Sequence, residues 1–194
     1  MREYVIRPFT GWENVEPLPI DTPLWGPCGD IAAGGRLAWK ADGLRVLLQA
    51  REKDIRAEER GDTGNPWEDS CLEFFLSPAL GDGRYISIEL NPNACLCLGL
   101  GDGVRCLRLL WASDLLQPEV TFTEGGWSVE YRVPFDLLRM LFPAFEAKPG
   151  AVLRGNLYKC GDKTILPHHL AWNPVNSPTP NFHRPQDFGR LVLA

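Results

Sequence analysis

Residues 65–76 read NPWEDSCLEFFL, and they contain the clearest strand signal in the chain. Turn-forming residues carry Trp67 and lead directly into alternating apolar and polar side chains. Because the side chains of a strand alternate between two faces, the apolar face of this strand requires a core. That face consists of Leu72, Phe74 and Leu76. The opposite face consists of Cys71, Glu73 and Phe75, with Trp67 at the entry to the strand.

An aromatic ring beside a carboxylate suits the chemistry of a sugar. The apolar face of a pyranose stacks on an aromatic ring, and its hydroxyls donate to carboxylate oxygens. Trp67 and Glu73 are therefore candidate sugar-binding residues. The alternative is structural, in which Trp67 closes the end of a β-sandwich and Glu73 pairs with a neighbouring arginine.

Length and charge exclude several classes of partner. The chain has 194 residues, which is enough for one large domain with a self-sufficient core. Its net charge of −5 and its lack of a basic run argue against a nucleic-acid partner. No stretch resembles a signal peptide or a membrane span, so the sequence predicts a cytoplasmic protein with no membrane partner.

Six cysteines are unusual for a chain of this length. In a cytoplasmic protein we expect them to be reduced and to act as small buried residues. Cys95 and Cys97 are separated by one residue, which is not the spacing of a zinc knuckle or a redox motif. A zinc site built from Cys95, Cys97 and Cys106 is therefore disfavoured.

Short alternating runs separated by glycine and proline indicate an all-β fold. The predicted strands are 36–40, 44–50, 70–77, 84–91, 94–100, 104–110, 119–124, 127–133, 152–160 and 187–193. Residues 135–142 follow Pro134 with helical spacing, and they form the one predicted helix. We expect a single domain over residues 1–194, in which residues 1–35 form an extended wrapping segment.

Six of these segments, in this order and spacing, resemble a carbohydrate-binding module of family 9. The segments are WEDSCLEFFL (67–76), YISIELNP (85–92), GWSVEYRVP (126–134), NLYK (156–159), LAWNP (170–174) and FGRL (188–191). The resemblance extends from about residue 36 to the end of the chain. It implies a jelly-roll-like antiparallel β-sandwich with one short helix, and a sugar site without catalytic function.

In that family two tryptophans sandwich a sugar ring, and polar side chains hold its hydroxyls. The resemblance assigns Trp67 to the first tryptophan and Glu73 to the carboxylate. Trp172 is the candidate for the second tryptophan, with Asn173 as its amide neighbour. The arginine that the family places near its third segment has no clear equivalent here. The family often binds structural calcium, which is the one cofactor that the resemblance suggests, although no compact cluster of aspartates is evident.

The alternating strands extend this site to further polar residues. Tyr85, Glu89 and Asn91 share the face of their strand that points away from the core, and Asn156 lies on a polar strand face further along the chain. The predicted ligand-binding set is Trp67, Glu73, Tyr85, Asn91, Asn156, Trp172 and Asn173. The remaining tryptophans, Trp12, Trp25, Trp39, Trp111 and Trp127, are predicted to be packing residues.

Two other functions stay open from the sequence. Several carboxylates, among them Glu68, Asp69, Glu73 and Glu89, could form the pair that a glycoside hydrolase needs. No neighbouring residue that would shift the pKa of one of these carboxyl groups is evident, so we expect no catalytic residues. The second alternative is a protein-interaction module that uses the same aromatic loop. The preferred partner remains a mono- or oligosaccharide.

Overall fold

β-Strands are the main regular element of the computed structural model, which describes all residues 1–194. In chain order the strands are β1 (Glu3–Pro8), β2 (Leu18–Ile20), β3 (Thr22–Pro23), β4 (Ala32–Lys40), β5 (Gly43–Arg51), β6 (Cys71–Ser77), β7 (Tyr85–Leu90), β8 (Leu96–Gly101), β9 (Cys106–Leu109), β10 (Glu119–Thr123), β11 (Gly126–Pro134), β12 (Val152–Gly161), β13 (His168–Ala171) and β14 (Gly189–Leu193). The helices are α1 (Ser113–Leu116) and α2 (Phe135–Leu141). No helix is long and apolar enough to cross a membrane.

The strands form two facing layers. The long layer has the order β14-β12-β6-β7-β8-β9, and the short layer has the order β4-β5-β11-β10 with β2 beside β4. β1 connects the layers, because residues 3–6 pair with β14 and residues 7–8 pair with β4. The predicted all-β sandwich is confirmed. The sheet is mixed rather than fully antiparallel, since both pairings of β1 are parallel.

The main core lies between the two layers and contains 35 buried residues. The apolar alternation that the sequence shows in β6 and β7 supplies Phe74 and Ile88 from the long layer, and β5 supplies Val46 from the short one. Leu72, Phe74 and Leu76 all point into this core, as predicted. Their burial fixes the register of β6, because a shift of one residue would turn Glu73 into the core.

A second hydrophobic cluster covers the opposite face of the long layer. It contains Phe75 and Tyr85 from the sheet, and Phe182 and Phe188 from the segment before β14. Leu24, from the N-terminal part of the chain, joins the same cluster. Both faces of β6 and β7 are therefore buried, and the outward face predicted from the sequence is not a solvated surface.

The local predictions differ from the structure in the N-terminal segment and in two short elements. Helix α2 begins at Phe135 after Pro134, as predicted, and ends at Leu141. Residues 1–35 contain three short strands and a 3-10 turn at Trp12–Asn14, rather than one extended segment. The short α1 was not predicted, and neither was β13, which pairs with β12 and β3. β13 depends on long-range pairing, which local alternation does not reveal.

Candidate ligand-binding site

A cavity of about 380 Å³ opens on the outer face of the long layer. Its floor is built from side chains that the strand register places side by side, because residues paired across strands share a face. One row runs through Glu73, Glu89 and Cys97 on β6, β7 and β8. The next row includes Gly99 and Arg108, which pair across β8 and β9. The floor residues are Glu73, Phe75, Glu89, Cys97, Gly99, Cys106, Arg108 and Cys160.

Trp67 forms one aromatic wall of the cavity from a 3-10 turn at Pro66–Glu68. This turn is tied to the chain that follows β12. The Asp162 amide donates to the carbonyl of Trp67 at 3.0 Å, and the Lys163 amide donates to that of Glu68 at 3.0 Å. The Trp67 side chain is half-buried, so part of the ring stays open to a ligand.

Trp25 forms a second aromatic wall together with Phe182. Its indole Nε1 donates to the carbonyl of Ser177 at 2.7 Å, and its ring lies 5.5 Å from that of Phe182. Phe182 in turn stacks on Tyr158 with 4.0 Å between ring centroids and an interplanar angle of 8°. The wall is therefore held by packing and by hydrogen bonding before any ligand arrives.

Two carboxyl groups lie next to one another on the floor. Glu73 and Glu89 are directly paired across β6 and β7, and they are only 2% and 5% exposed. Glu73 Oε1 accepts a hydrogen bond from Cys160 Sγ at 2.9 Å. Burial, followed by the neighbouring Cys160 and Glu89, holds the pKa of Glu73 well above its usual range. Burial also raises the pKa of Glu89 to about 7, although Ser87 and Arg108 favour its ionised form.

Arg108 supplies the guanidinium of the cavity floor. It donates to the carbonyls of Gly64 and, at 3.3 Å, of Leu96, while its Nε is buried without a hydrogen-bond partner. The side chain crosses the floor beside Gly99, where an added Cβ would lie 2.5 Å from Cys106 Sγ. Glycine therefore keeps this part of the floor open.

His183 lies over the far end of the floor. Its Nδ1 is 2.9 Å from the hydroxyl of Tyr85, and its ring centroid is 5.1 Å from that of Phe75. Burial lowers the pKa of His183, so the neutral imidazole is favoured at neutral pH. Tyr85 was predicted to contact the ligand, but it supports His183 from the hydrophobic cluster and does not line the cavity.

The structure brings Trp67 and Glu73 together in the cavity, but it places Trp172 elsewhere. Trp172 is 3% exposed and belongs to the main core. Its ring lies against the backbone of Gly189, where an added Cβ would be 2.7 Å from Cη2. The expectation that Trp172 stacks on a sugar is corrected, because neither face of this ring is free.

The three predicted asparagines also lie outside the cavity, and their amides are engaged by the protein. Asn156 and Asn173 connect β12 to the chain after β13, since Asn156 Nδ2 donates to the Asn173 carbonyl at 2.8 Å. Asn173 Nδ2 donates to the carbonyl of Asp187 at 2.7 Å. Asn91 Nδ2 donates to Asp69 Oδ2 at 2.8 Å. These side chains hold loops in place, and their assignment to the ligand is corrected.

Sequence reasoning missed the cavity residues Trp25, Arg108, Asp162, His169, Phe182 and His183. Trp25 and Trp111 were both interpreted as packing residues, yet Trp25 lines the cavity and Trp111 is 77% exposed. Arg108 had a usable signal, because the hairpin of β8 and β9 sets it opposite Gly99. His169 lies on β13, and the remaining residues lie on loops, whose positions carry no periodic signal.

The residues present do not fit a calcium ion. Calcium takes six to eight oxygen ligands, and one group of side chains approaches ligand geometry: Cys71, Glu73 and Cys160. Two of these three are thiols. The buried Asp69 is already used, since its Oδ2 accepts from the amides of Glu58 and Glu59, each at 2.8 Å.

Comparisons with known proteins agree on one family. The sequence model of carbohydrate-binding family 9 matches residues 12–193. A candidate carbohydrate-binding protein from Bacteroides uniformis is 25% identical, with a TM-score of 0.85 over 100% of this chain and 99% of that chain. No curated protein matches the sequence.

Two solved structures from Caldicellulosiruptor kristjanssonii share the fold. Both are family 9 carbohydrate-binding modules. The one in complex with cellotriose is 14% identical, with a TM-score of 0.69 over 99% of this chain and 93% of that chain. The one in complex with glucose is 13% identical, with a TM-score of 0.72 over 100% of this chain and 96% of that chain.

Proposed function

The chain belongs to carbohydrate-binding family 9, and on that premise we propose that it binds a sugar in the cavity beside Trp25 and Trp67 without transforming it. The observation that carries this proposal is the combination of aromatic walls with a carboxyl floor. The cavity volume of about 380 Å³ is near the lower end of the range, about 300 to 1,000 Å³, found for small-molecule sites. This size suits one or two sugar rings.

The aromatic walls provide apolar surface for the ring faces of the sugar. Trp25 and Trp67 are both half-buried, so each keeps its position while exposing part of its indole to the cavity. Stacking of C–H groups on such surfaces is the main source of affinity in a site of this kind. Trp25 therefore takes the role that the sequence analysis gave to Trp172.

The floor provides hydrogen-bond partners for the hydroxyls of the sugar. Glu73 and Glu89 accept when ionised, and each offers one O–H donor when protonated. Arg108 lines the same floor, and its guanidinium N–H groups are donors. A sugar hydroxyl is both a donor and an acceptor, so it can satisfy all of these groups.

The arrangement of the carboxyl groups favours binding over glycoside hydrolysis. A hydrolase flanks the scissile bond with two carboxyl groups, one protonated and one ionised. Here Glu73 and Glu89 lie side by side on one floor, and burial raises the pKa of both. Neither is set up as an ionised nucleophile, and a sugar would lie above the pair rather than between its members.

The sugars bound by structural neighbours suggest which ligands to test. The Caldicellulosiruptor kristjanssonii modules bind cellotriose and glucose. We propose that this chain recognises glucose units, alone or at the end of an oligosaccharide. Galactose and mannose serve as comparisons, because each differs from glucose at one hydroxyl.

Isothermal titration with glucose, cellobiose and cellotriose tests the proposal, with EDTA present throughout. We expect a saturable heat with a Kd between about 1 μM and 1 mM. Trp67→Ala and Trp25→Ala should each weaken binding about tenfold or more, because each removes one stacking surface.

Trp111→Ala is the matched control, since Trp111 is 77% exposed and does not line the cavity. It should bind as the wild type does. A flat titration across the whole panel with folded protein would contradict sugar binding. That result would favour the protein-interaction alternative.

A further inference from the structure

A group of sulfur and oxygen ligands lies beneath the cavity, at the end of strands β6 and β12. Cys71 and Cys160 are directly paired across these two strands, and Glu73 follows Cys71 on the same face. One ligand atom from each residue lies within 4.8 Å of the other two. Strand register rather than a mobile loop sets this spacing, so the three groups are held together in the fold.

Sugar binding does not account for this group. A sugar hydroxyl can reach Glu73, but it has no need of two thiols next to that carboxyl. Glu73 is 2% exposed, and its hydrogen-bond donor within the protein is the thiol of Cys160. No lysine or arginine forms an ion pair with it. A carboxylate that is buried without a cation is costly, unless it is neutralised or coordinates a metal.

The nearest basic side chain in sequence is turned away. Lys159 precedes Cys160 on β12 and points to the opposite face of the sheet. There its Nζ lies 3.2 Å from Glu52 Oε2 and 2.8 Å from His168 Nε2. Lys159 therefore forms its ion pair with Glu52 and provides no cation for the Cys71, Glu73 and Cys160 group.

We propose that Cys71, Cys160 and Glu73 bind one thiophilic divalent cation of the zinc class, with a fourth coordination position open to the cavity. Thiolates select zinc over the hard ions calcium and magnesium, and zinc accepts a carboxylate as a further ligand. Three protein ligands with an open position are typical of a zinc site that also holds water.

The geometry requires only side-chain movement. A tetrahedral zinc ion with bonds of about 2.0 to 2.3 Å separates its ligand atoms by about 3.6 to 3.8 Å. The ligand atoms already lie within 4.8 Å of one another. The contact of 2.9 Å between Cys160 Sγ and Glu73 Oε1 is bridged by a proton and opens by less than 1 Å when the ion takes the proton's place.

The cavity gives the ion access and a favourable field. Cys160 and Glu73 both line the cavity, so an ion reaches them without unfolding of the sheet. Glu89 and Asp162 add two more carboxyl groups to the same walls, against one guanidinium from Arg108. This excess of carboxyl groups attracts a cation and raises its local concentration.

The other cysteines do not compete for this role. Cys95 was considered with Cys97 and Cys106 as a zinc site, but these three do not come together as ligands. Cys95 Sγ instead donates to the carbonyl of Gly61 at 3.0 Å. Cys97 and Cys106 line the cavity outside the ligand group, which makes them matched controls.

Titration of the reduced full-length protein with Co²⁺ tests this site, in the absence of sugar and EDTA. Co²⁺ replaces zinc, and thiolate ligation produces a charge-transfer band in the near ultraviolet together with visible bands of a tetrahedral ion. We expect one equivalent to bind, and one equivalent of Zn²⁺ to remove both sets of bands. Absence of the charge-transfer band from folded wild-type protein overturns the proposal.

Cysteine variants locate the site. Cys71→Ser and Cys160→Ser should each lose the charge-transfer band, whereas Cys97→Ser and Cys106→Ser should keep it. If the charge-transfer band is lost only in Cys97→Ser and Cys106→Ser, the ion is bound by other thiols and the proposal is overturned. Because a zinc-class ion binds thiolates, binding displaces the thiol protons, and the affinity should rise with pH.

If a serine variant fails to fold, X-ray absorption at the zinc edge of the wild-type protein identifies the ligands instead. Two sulfur neighbours at about 2.3 Å, with oxygen completing the shell, are expected. A shell of oxygen and nitrogen alone, or of four sulfurs, contradicts the assignment. Because the sugar titrations contain EDTA, they succeed or fail independently of this result.

Discussion

The two faces of strand β6 are equally buried, yet they differ in chemistry. Leu72, Phe74 and Leu76 face the main core, and the one charged neighbour there, Lys159 opposite Leu72, is paired with Glu52. Cys71, Glu73 and Phe75 face the cavity, and none of them is more than 2% exposed. Burial alone therefore does not distinguish a core from a site. The distinction lies in whether buried polar groups find their partners within the protein.

Two buried carboxyl groups near this strand show the same contrast. Asp69 is fully buried, and its Oδ2 accepts from two backbone amides and from Asn91, while Arg56 Nε lies 3.1 Å from its Oδ1. Glu73 has one thiol donor. Asp69 completes a structural network, whereas Glu73 is left with the capacity to bind something from outside.

The largest effect is expected when Trp172 and Trp67 are each replaced by alanine and the two variants are compared. Trp172→Ala should lower the free energy of unfolding by about 3–5 kcal/mol, because it empties a site in the main core. Sugar affinity should stay within about twofold of the wild type, since Trp172 does not line the cavity. Trp67→Ala should show the reverse pattern. Denaturant unfolding and calorimetric titration of both variants measure this contrast. Loss of sugar affinity in a folded Trp172→Ala variant would contradict it.

The next effect concerns pH and Glu89. Its pKa rises from 4.5 to about 7 on folding, so between these values the native state holds a proton that the unfolded chain has released. Stability contributed by this proton is present below pH 4.5 and is lost as the pH rises through 7. We expect a loss of about 3 kcal/mol across this window.

Glu89→Gln is the control for this prediction, because the amide does not titrate. Chemical denaturation at several pH values, with EDTA present, should show a shallower decline for the variant than for the wild type. Parallel curves would mean that Glu89 titrates normally and that the cavity floor is better solvated than the structure implies.

A smaller effect on stability is expected to distinguish Asp69 from Glu73. Asp69→Asn should cost about 1–3 kcal/mol, because the amide that keeps its oxygen towards the three N–H groups sets its NH2 against the Arg56 guanidinium. Glu73→Gln should leave stability nearly unchanged, because Glu73 has one hydrogen-bond donor and no ion pair within the protein. Its sugar affinity should fall about tenfold. Equal destabilisation of the two variants would show that Glu73 is structural.

The smallest effect is expected at Trp111, which is exposed and lies outside both clusters. Trp111→Ala should change stability by less than about 0.5 kcal/mol. Thermal unfolding checks this directly. A larger loss would show that exposed aromatic residues contribute to folding in this chain, and the contrast with Trp172 would weaken.

The sequence predicted those parts of the fold in which local alternation and burial agree. Strands β6 and β7 were predicted with their correct faces, because Phe74 and Ile88 can only point into a core. Trp67 and Glu73 were found together since one turn and one strand carry both. Their proximity depends on six residues of chain rather than on the rest of the fold.

The second aromatic wall could not be found in this way. Trp25 reaches the cavity through a hydrogen bond to Ser177, which is 152 residues away in the sequence. Trp172 was misassigned because Asn173 follows it in a polar loop, yet the Asn173 amide bonds to the backbone and the Trp172 ring lies in the main core. Long-range pairing decides both positions, and a single sequence does not record it.

The central claim is that the ligand lies between Trp25 and Trp67 and not at Trp172. The most direct measurement is a two-dimensional NMR titration of ¹⁵N-labelled protein with cellobiose, following the seven indole N–H signals. We predict that the signals of Trp25 and Trp67 shift in a saturable manner, while those of Trp172 and Trp127 stay in place. Saturable shifts centred on Trp172, with Trp67 unmoved, would contradict the account.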